Sequence, residues 1–288
     1  MEPLVLVGLA ELARRTAGNP DLSIAMIDGP VMTGHPGLRS TRIKDTSGAH
    51  TAACARPGRL ACAHGTFVAG ILAARRDSTA PALCPDCTLY VHTVFTDHAV
   101  NDRTPATTPK HLAAGILACA DVGARIINIS AALYQPLPDH ERQLIDALDF
   151  AAQRGVIIVV AAGNDRAITS TALTGHPWVI PVTSYNQAGQ PMGRSNLGRS
   201  IGHRGLGAPG DRVRSLGPEG GLVMQSGTSV AAPFVTGAIA LLWSLFPDAS
   251  PTEVRLAVTA SRQHRTVVPP LLNAAAAFQA MSRRRCHV

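Results

Sequence analysis

Ser229 stands in the stretch Ser226-Gly227-Thr228-Ser229-Val230-Ala231-Ala232-Pro233, ahead of an Ala-rich apolar run that continues to Leu245. That run is too long for one strand and predicts a buried helix with a hydroxyl in its first turn. Unpaired backbone N–H groups and the positive dipole end there favour an oxyanion forming at the hydroxyl. A serine hydroxyl is a weak nucleophile, so it needs a base, and the base needs an orienting partner. His64 opens a second helix-like run, His64-Gly65-Thr66-Phe67-Val68-Ala69-Gly70-Ile71-Leu72, with Phe67, Val68, Ile71 and Leu72 at helical spacing. Asp28 closes the apolar run 22–27 and precedes Gly29-Pro30. It therefore puts a carboxylate at the carboxyl end of a buried strand, where open α/β sheets hold their ligands. Asn164 follows the β-branched run 155–160 and Ala161-Ala162-Gly163. An Asn there can aim a side-chain N–H at a developing oxyanion. Each also has a plain structural reading: a helix cap for Ser229 and His64, a turn residue for Asp28 and Asn164.

The elements that must carry these residues alternate. Strand-like runs fall at 22–27, 88–94, 125–130, 156–161 and 178–183. Helix-like runs fall at 64–76, 109–122, 139–154, 229–245 and 251–261. Pro109, Pro251 and Asp139 are start signals, and Gly123 and Gly155 are stops. The alternation predicts an α/β fold of three layers, a mainly parallel central sheet with helices on both faces. Residues 4–16 read as a short amphipathic helix ending near Gly18. The irregular stretches 95–108 and 184–204 read as surface loops. One main domain over 21–282 is expected, with an N-terminal extension at 1–20 and a solvated, disordered basic tail at 283–288.

At this point a family resemblance is plain. The order Asp28, His64, Ser229 and the block Gly227-Thr228-Ser229-Val230-Ala231-Ala232-Pro233 resemble subtilisin-like serine proteases (subtilases, peptidase family S8). So do His64-Gly65-Thr66-Phe67-Val68-Ala69-Gly70 and Ala161-Ala162-Gly163-Asn164. Weaker echoes are Gly34-His35-Pro36, Asn128-Ile129-Ser130, Ser195-Asn196-Leu197-Gly198 and Ala208-Pro209-Gly210. The resemblance implies a subtilisin-like fold and peptide-bond hydrolysis through an acyl-enzyme. It implies Ser229 as nucleophile, His64 as general base and then acid, and Asp28 as the group that holds the His64 tautomer. Asn164 and the Ser229 N–H would form the oxyanion hole. Ser130, Ala131, Ala132, Ala162 and Gly163 would line the substrate site, with an extended peptide adding to the 130–132 edge as a strand.

The chain departs from the family at three places. Asp28-Gly29-Pro30 replaces Asp-Ser/Thr-Gly, so a hydroxyl next to the carboxylate is missing. Phe67 stands where many members carry a second His. Ser130-Ala131-Ala132 replaces Ser-Leu-Gly. The segment Ala82-Leu83-Cys84-Pro85-Asp86-Cys87-Thr88-Leu89 resembles the PatA/PatG-type protease domains of cyanobactin maturation. It implies a selective processing protease for a ribosomally made precursor peptide. The alternatives are a general degradative subtilase and a catalytically dead peptide-binding module.

The 288 residues are 46% hydrophobic but only 4% aromatic, so Ala, Val, Ile and Leu must fill the core. Mean hydropathy is +0.13, and no apolar run long enough for a bilayer is expected. The net charge of +7 rests almost wholly on Arg, Lys44 and Lys110 being the only lysines. No nucleic-acid module is present in the pattern, and oligomeric state is unreadable. The start Met1-Glu2-Pro3 lacks a secretory signal, which points to the cytoplasm. The cysteines pull the other way. Cys54, Cys62, Cys84 and Cys87 read as two local disulfides, Cys54–Cys62 and Cys84–Cys87, as free thiols, or as a Cys₄ or Cys₃His zinc site. Cys119 reads as core. No cofactor is expected; subtilases often bind calcium, but no acidic loop here has its ligand spacing.

Overall fold

The computed structural model describes residues 2–39, 41–48, 54, 58–78, 80–95, 106–133, 138–260 and 266–285. The first half of the chain runs α1 (Pro3–Leu6), α2 (Leu9–Arg15), β1 (Ser23–Asp28), β2 (Ile43–Asp45), α3 (Leu60–Ala73), β3 (Thr88–Thr93), β4 (Ala106–Thr107), α4 (Pro109–Asp121), β5 (Ile126–Ile129) and β6 (Ala132–Leu133). The second half runs α5 (Pro138–Gln153), β7 (Ile157–Ala161), α6 (Ala172–Gly175), β8 (Ile180–Tyr185), α7 (Arg199–Arg204), β9 (Leu206–Pro209), β10 (Val213–Leu216), β11 (Leu222–Gln225), α8 (Thr228–Leu245), α9 (Pro251–Thr259) and α10 (Ala274–Arg285).

Seven strands form one parallel sheet in the order β2-β3-β1-β5-β7-β8-β9. The chain leaves β1 toward β3 on one side and returns to β5 on the other. The carboxyl end of β1 is thus the switch point, where a crevice opens. Side chains alternate across the sheet. Ile24 and Met26 join one apolar cluster with α3, α8 and α9, whereas Ala25 and Ile27 join a second with α4 and α5. These are the three expected layers. Asp28 continues the parity of Ile24 and Met26, so it faces α3 and α8.

α8 is the central helix of one layer. It is apolar on all sides, and Trp243, Phe234, Val230 and Leu241 are buried. Contrary to the sequence expectation, it is long and apolar enough to cross a membrane by length and composition. Its 18-residue window is, however, 83% buried inside the fold. All-round apolarity here belongs to a core helix.

Several elements differ from the expectations. The helix expected at 4–16 is two helices broken at Gly8, whose φ is +70°. Leu9 and Leu12 are fully buried in the main core, so the segment is part of the packed fold. α3 begins at Leu60, one turn before the expected start, so His64 lies in its second turn. The stretch 184–204 contains α7, and 96–105 of the other expected loop lie outside the described residues. The basic tail expected at 283–288 begins as the last turn of α10, with Arg283 and Arg284 exposed; 286–288 lie outside the described residues.

Candidate active site

Three side chains meet at the carboxyl end of β1. His64 Nδ1 lies 2.7 Å from Asp28 Oδ1, and His64 Nε2 lies 2.9 Å from Ser229 Oγ. A carboxylate can only accept, so the ring proton sits on Nδ1 and Nε2 is left to accept the serine proton. Asp28 is fully buried and His64 is 21% exposed. Burial opposes the imidazolium, but the charge and hydrogen bond of Asp28 outweigh it and hold the His64 pKa above its ordinary value. A base so placed can take a proton from Ser229 and hold it beside an anion.

The position of each group follows from its element. Asp28 ends β1, and the Gly29 N–H donates to Asp28 Oδ1 at 2.6 Å. Asp28 Oδ2 is buried without a partner among the described residues. The first turn of α3 presses on Gly29: a Cβ there would sit 2.1 Å from Ala61 O. Gly65 returns the contact, its own Cβ position lying 2.4 Å from Gly29 O. The missing hydroxyl at position 29 and the early start of α3 are therefore one feature. Phe67 is fully buried and packs in the core.

Ser229 is the second residue of α8, whose N-terminus is clasped by the loop after β7. The Thr228 N–H donates to Asn164 Oδ1 at 3.0 Å, and the Gly163 N–H donates to Thr228 Oγ1 at 3.1 Å. With Oδ1 held, the Asn164 amide has both Nδ2 hydrogens left for another acceptor beside the helix start. The Ser229 N–H makes no hydrogen bond among the described residues. Two donors thus flank the Ser229 hydroxyl, the arrangement an oxyanion requires. Gly163 holds φ +102°, and a Cβ there would meet Asn196 Nδ2 at 2.3 Å.

Two supporting roles escaped the sequence reading, that of Asn196, seen there only as part of a weak echo, and that of Ser130, expected only to line the substrate site. Asn196 Oδ1 accepts from the Asp165 and Ala167 N–H groups at 2.9 and 3.1 Å, and its Nδ2 donates to Asp165 at 3.0 Å. It therefore fixes the loop that carries Asn164. The second support follows from Pro233. Four residues after Ser229, it lacks the N–H that would bond the Ser229 carbonyl. Ser130 Oγ donates to that carbonyl at 3.3 Å instead. Asn128 Nδ2 donates to Ser130 Oγ at 2.8 Å, and Thr236 donates to Asn128 Oδ1 at 2.9 Å. The signal was legible in the sequence as a Pro at the i+4 position.

Of the expected substrate-site residues, Ser130 thus turns its hydroxyl inward, and Ala131 and Ala162 are buried. The 130–132 edge is not open on both sides. β6 pairs in parallel with β4, Ala132 opposite Ala106. The side chain of Ala132 lies outside the described residues. A cavity of about 900 Å³ lined by Leu4, Asp211, Arg214 and Met224 holds none of the triad residues.

The cysteines divide. Cys54 and Cys62 form a disulfide, Cys62 being in the first turn of α3. Of the readings open for Cys84 and Cys87, the structure has the free thiols and not the bridge; both are buried, as is Cys119. A backbone bond from Cys87 N–H to Cys84 O closes a turn, and Gly18 lies over the Cys87 sulfur. The thiols hydrogen-bond to one another instead, which raises the Cys84 pKa and lowers that of Cys87. Burial pushes Cys119 up to about 12. No group of three or more His, Cys, Asp or Glu able to hold a metal occurs among the described residues.

A family model described as the subtilase family matches residues 19–277. Mycosin-1 of Mycolicibacterium smegmatis is 30% identical over 302 residues, covering 88% of this chain and 65% of its own. Fervidolysin of Fervidobacterium pennivorans is 27% identical over 274 residues, with 88% and 39% covered. Subtilisin of Bacillus pumilus is 28% identical over 240 residues, with 82% and 81% covered. The chain spans 39% and 65% of the first two relatives' lengths. Among solved structures, a serine-to-alanine mutant of the protease domain of PatA superposes with a TM-score of 0.84 at 28% identity. It covers 93% of this chain and 97% of that one. The prenylagaramide maturation protease PagA gives 0.82 at 28%, covering 95% and 98%. The PatG macrocyclase in complex with peptide gives 0.83 at 21%, a likeness of fold.

Proposed function

The chain belongs to the subtilase family, and from that premise we propose that it is a serine endopeptidase working through an acyl-enzyme. The observation that carries this reading is the continuous hydrogen-bond chain Ser229–His64–Asp28, at 2.9 and 2.7 Å, at the switch point of a parallel sheet. Ser229 Oγ attacks the scissile carbonyl as His64 Nε2 takes its proton. The carbonyl oxygen becomes negative beside Asn164 Nδ2 and the Ser229 N–H. His64 returns the proton to the leaving amine; a water then gives its proton to His64 and attacks the acyl carbonyl, and Ser229 Oγ leaves, taking the proton back from His64. Asp28 holds the ring and stabilises the imidazolium throughout.

The substrate, on this reading, is a ribosomally made precursor peptide from which one segment is removed. The 28% identity to PatA and to PagA, the latter a maturation protease, supports a processing role over general degradation. The peptide bound to PatG supports an extended peptide as ligand. The Cys54–Cys62 bridge favours an oxidising compartment over the cytoplasm. The test is mass spectrometry of a panel of leader-bearing precursor peptides and of unfolded casein, each incubated with wild type and with Ser229→Ala. Cleavage of a precursor at one bond, with casein untouched, is expected. Ready casein digestion would replace the processing role with a degradative one, and no cleavage by wild type would remove the peptidase reading.

A further inference from the structure

We propose that Thr93 is a positioning residue for the triad, its hydroxyl donating to Asp28 Oδ2 and replacing the hydroxyl absent at position 29. The inference rests on the endopeptidase reading. Asp28 Oδ2 and Thr93 Oγ1 are both buried and both without a partner among the described residues. Asp28 is fully buried and Thr93 is 6% exposed. Buried polar groups are rarely left unpaired, and a bare carboxylate oxygen is among the costliest to leave so.

The sheet brings these two orphans together. Asp28 and Thr93 are register partners in the parallel pair of β1 with β3. Val94 N–H donates to Asp28 O at 2.9 Å, which fixes that register at the strand ends. Paired strands lie about 4.8 Å apart, and register partners present their side chains on the same face. Leu89 and Val91 pack in the cluster of Ile24 and Met26, so Thr93 faces α3 as Asp28 does. Rotation about χ1 is the freedom by which a threonine turns its hydroxyl toward a neighbour on the same face. The backbone is already held, since Thr93 N–H donates to Ser47 Oγ at 2.7 Å.

Position 29 cannot supply the donor, because any side chain there meets Ala61. Among the described residues, the one other bond to the carboxylate besides that of His64, from Gly29 N–H, goes to Oδ1. Oδ1 therefore takes two donors and Oδ2 none. A donor on Oδ2 fixes the carboxylate plane, and with it the ring of His64. It also places the positive end of an O–H dipole against the carboxylate, partly cancelling the field felt at His64. Asp28 is the charged group that acts on His64 among the described residues.

The test compares wild type with Thr93→Val, which keeps the shape and removes the hydroxyl, and with Thr93→Ser, which keeps the hydroxyl. Two readouts are taken: kcat and KM on a cleaved peptide, and the titration of the His64 ring by NMR in the resting chain. The NMR readout needs no turnover, so failure of the peptidase reading and failure of this inference are separately visible. Thr93→Val is expected to lower kcat about tenfold at unchanged KM. It is expected to move the His64 titration to higher pH, and Thr93→Ser is expected to restore most of both. If the hydroxyl has no such role, replacing an unpartnered buried O–H by a methyl raises Tm and leaves kinetics and titration as in wild type. That result would overturn the proposal.

Discussion

The imidazole of His64 is under opposed influences: burial disfavours its charge and Asp28 favours it, and Asp28 wins. The basic form is the one that accepts the serine proton. Activity should therefore rise with pH through a value above about 6.5. Asp28→Asn should move that limb to lower pH and reduce kcat about 10⁴-fold, as read from pH profiles of kcat/KM. The linked stability runs the other way. With the folded pKa raised, the pair's contribution is complete below about pH 6.5 and is lost as pH rises through the folded value. The Tm difference between wild type and Asp28→Asn should shrink over that window. Asn164→Ala should lower kcat about 10²–10³-fold with KM little changed, the typical loss for one oxyanion donor in such enzymes. A normal kcat would show that Nδ2 faces no oxyanion. The gathering of Ser229, His64, Asp28 and Asn164 in one place was legible in the sequence, because each stands at one kind of position, a strand end or a helix start. The inward turn of Ser130 was not read, because it follows from a hydrogen bond that Pro233 cannot make.

At the scale of elements, the meeting of α3 with β1 decides the geometry. α3 starts a turn early, closes over Gly29 and is tied through Cys62 to Cys54. Gly29→Ser would restore the family's residue but force Ala61 away, at a cost of about 1–3 kcal/mol. A chemical denaturation curve reads this, and an unchanged midpoint would mean that α3 yields freely. Breaking the bridge, which closes a loop of sequence separation 8, should cost about 2–3 kcal/mol. A Cys54→Ser/Cys62→Ser double variant tests it by the same curve. The β-branched runs that became β1, β3, β5, β7 and β8 were plain in the sequence because buried parallel strands are continuously apolar. β2 was not, being a short, largely exposed edge strand, Ile43-Lys44-Asp45. Nor was β9, where Gly207 and Pro209 argue against a strand. Spacing alone left Cys84 and Cys87 open between a bridge, free thiols and a zinc site, and the fold has them as free, buried thiols.

Over the whole molecule, both chain ends close the layer that holds α8. α2 packs against α8 and α10, and Arg15 lies 4.6 Å over the ring of Phe278. The sequence showed a short amphipathic helix at the start but not its docking site, which exists only once α10 is in place. Leu12, fully buried there, should cost about 2–5 kcal/mol as Leu12→Ala, a core-sized penalty. A loss of a few tenths would instead mark the N-terminal segment as peripheral. On the endopeptidase reading, this frame holds Ser229 as an activated nucleophile. The most direct measurement of this is the intact mass of the folded chain after treatment with a fluorophosphonate, for wild type and Ser229→Ala. A single adduct on the wild type, absent from Ser229→Ala, is the predicted result. An unmodified wild type, or equal labelling of the variant, would contradict it.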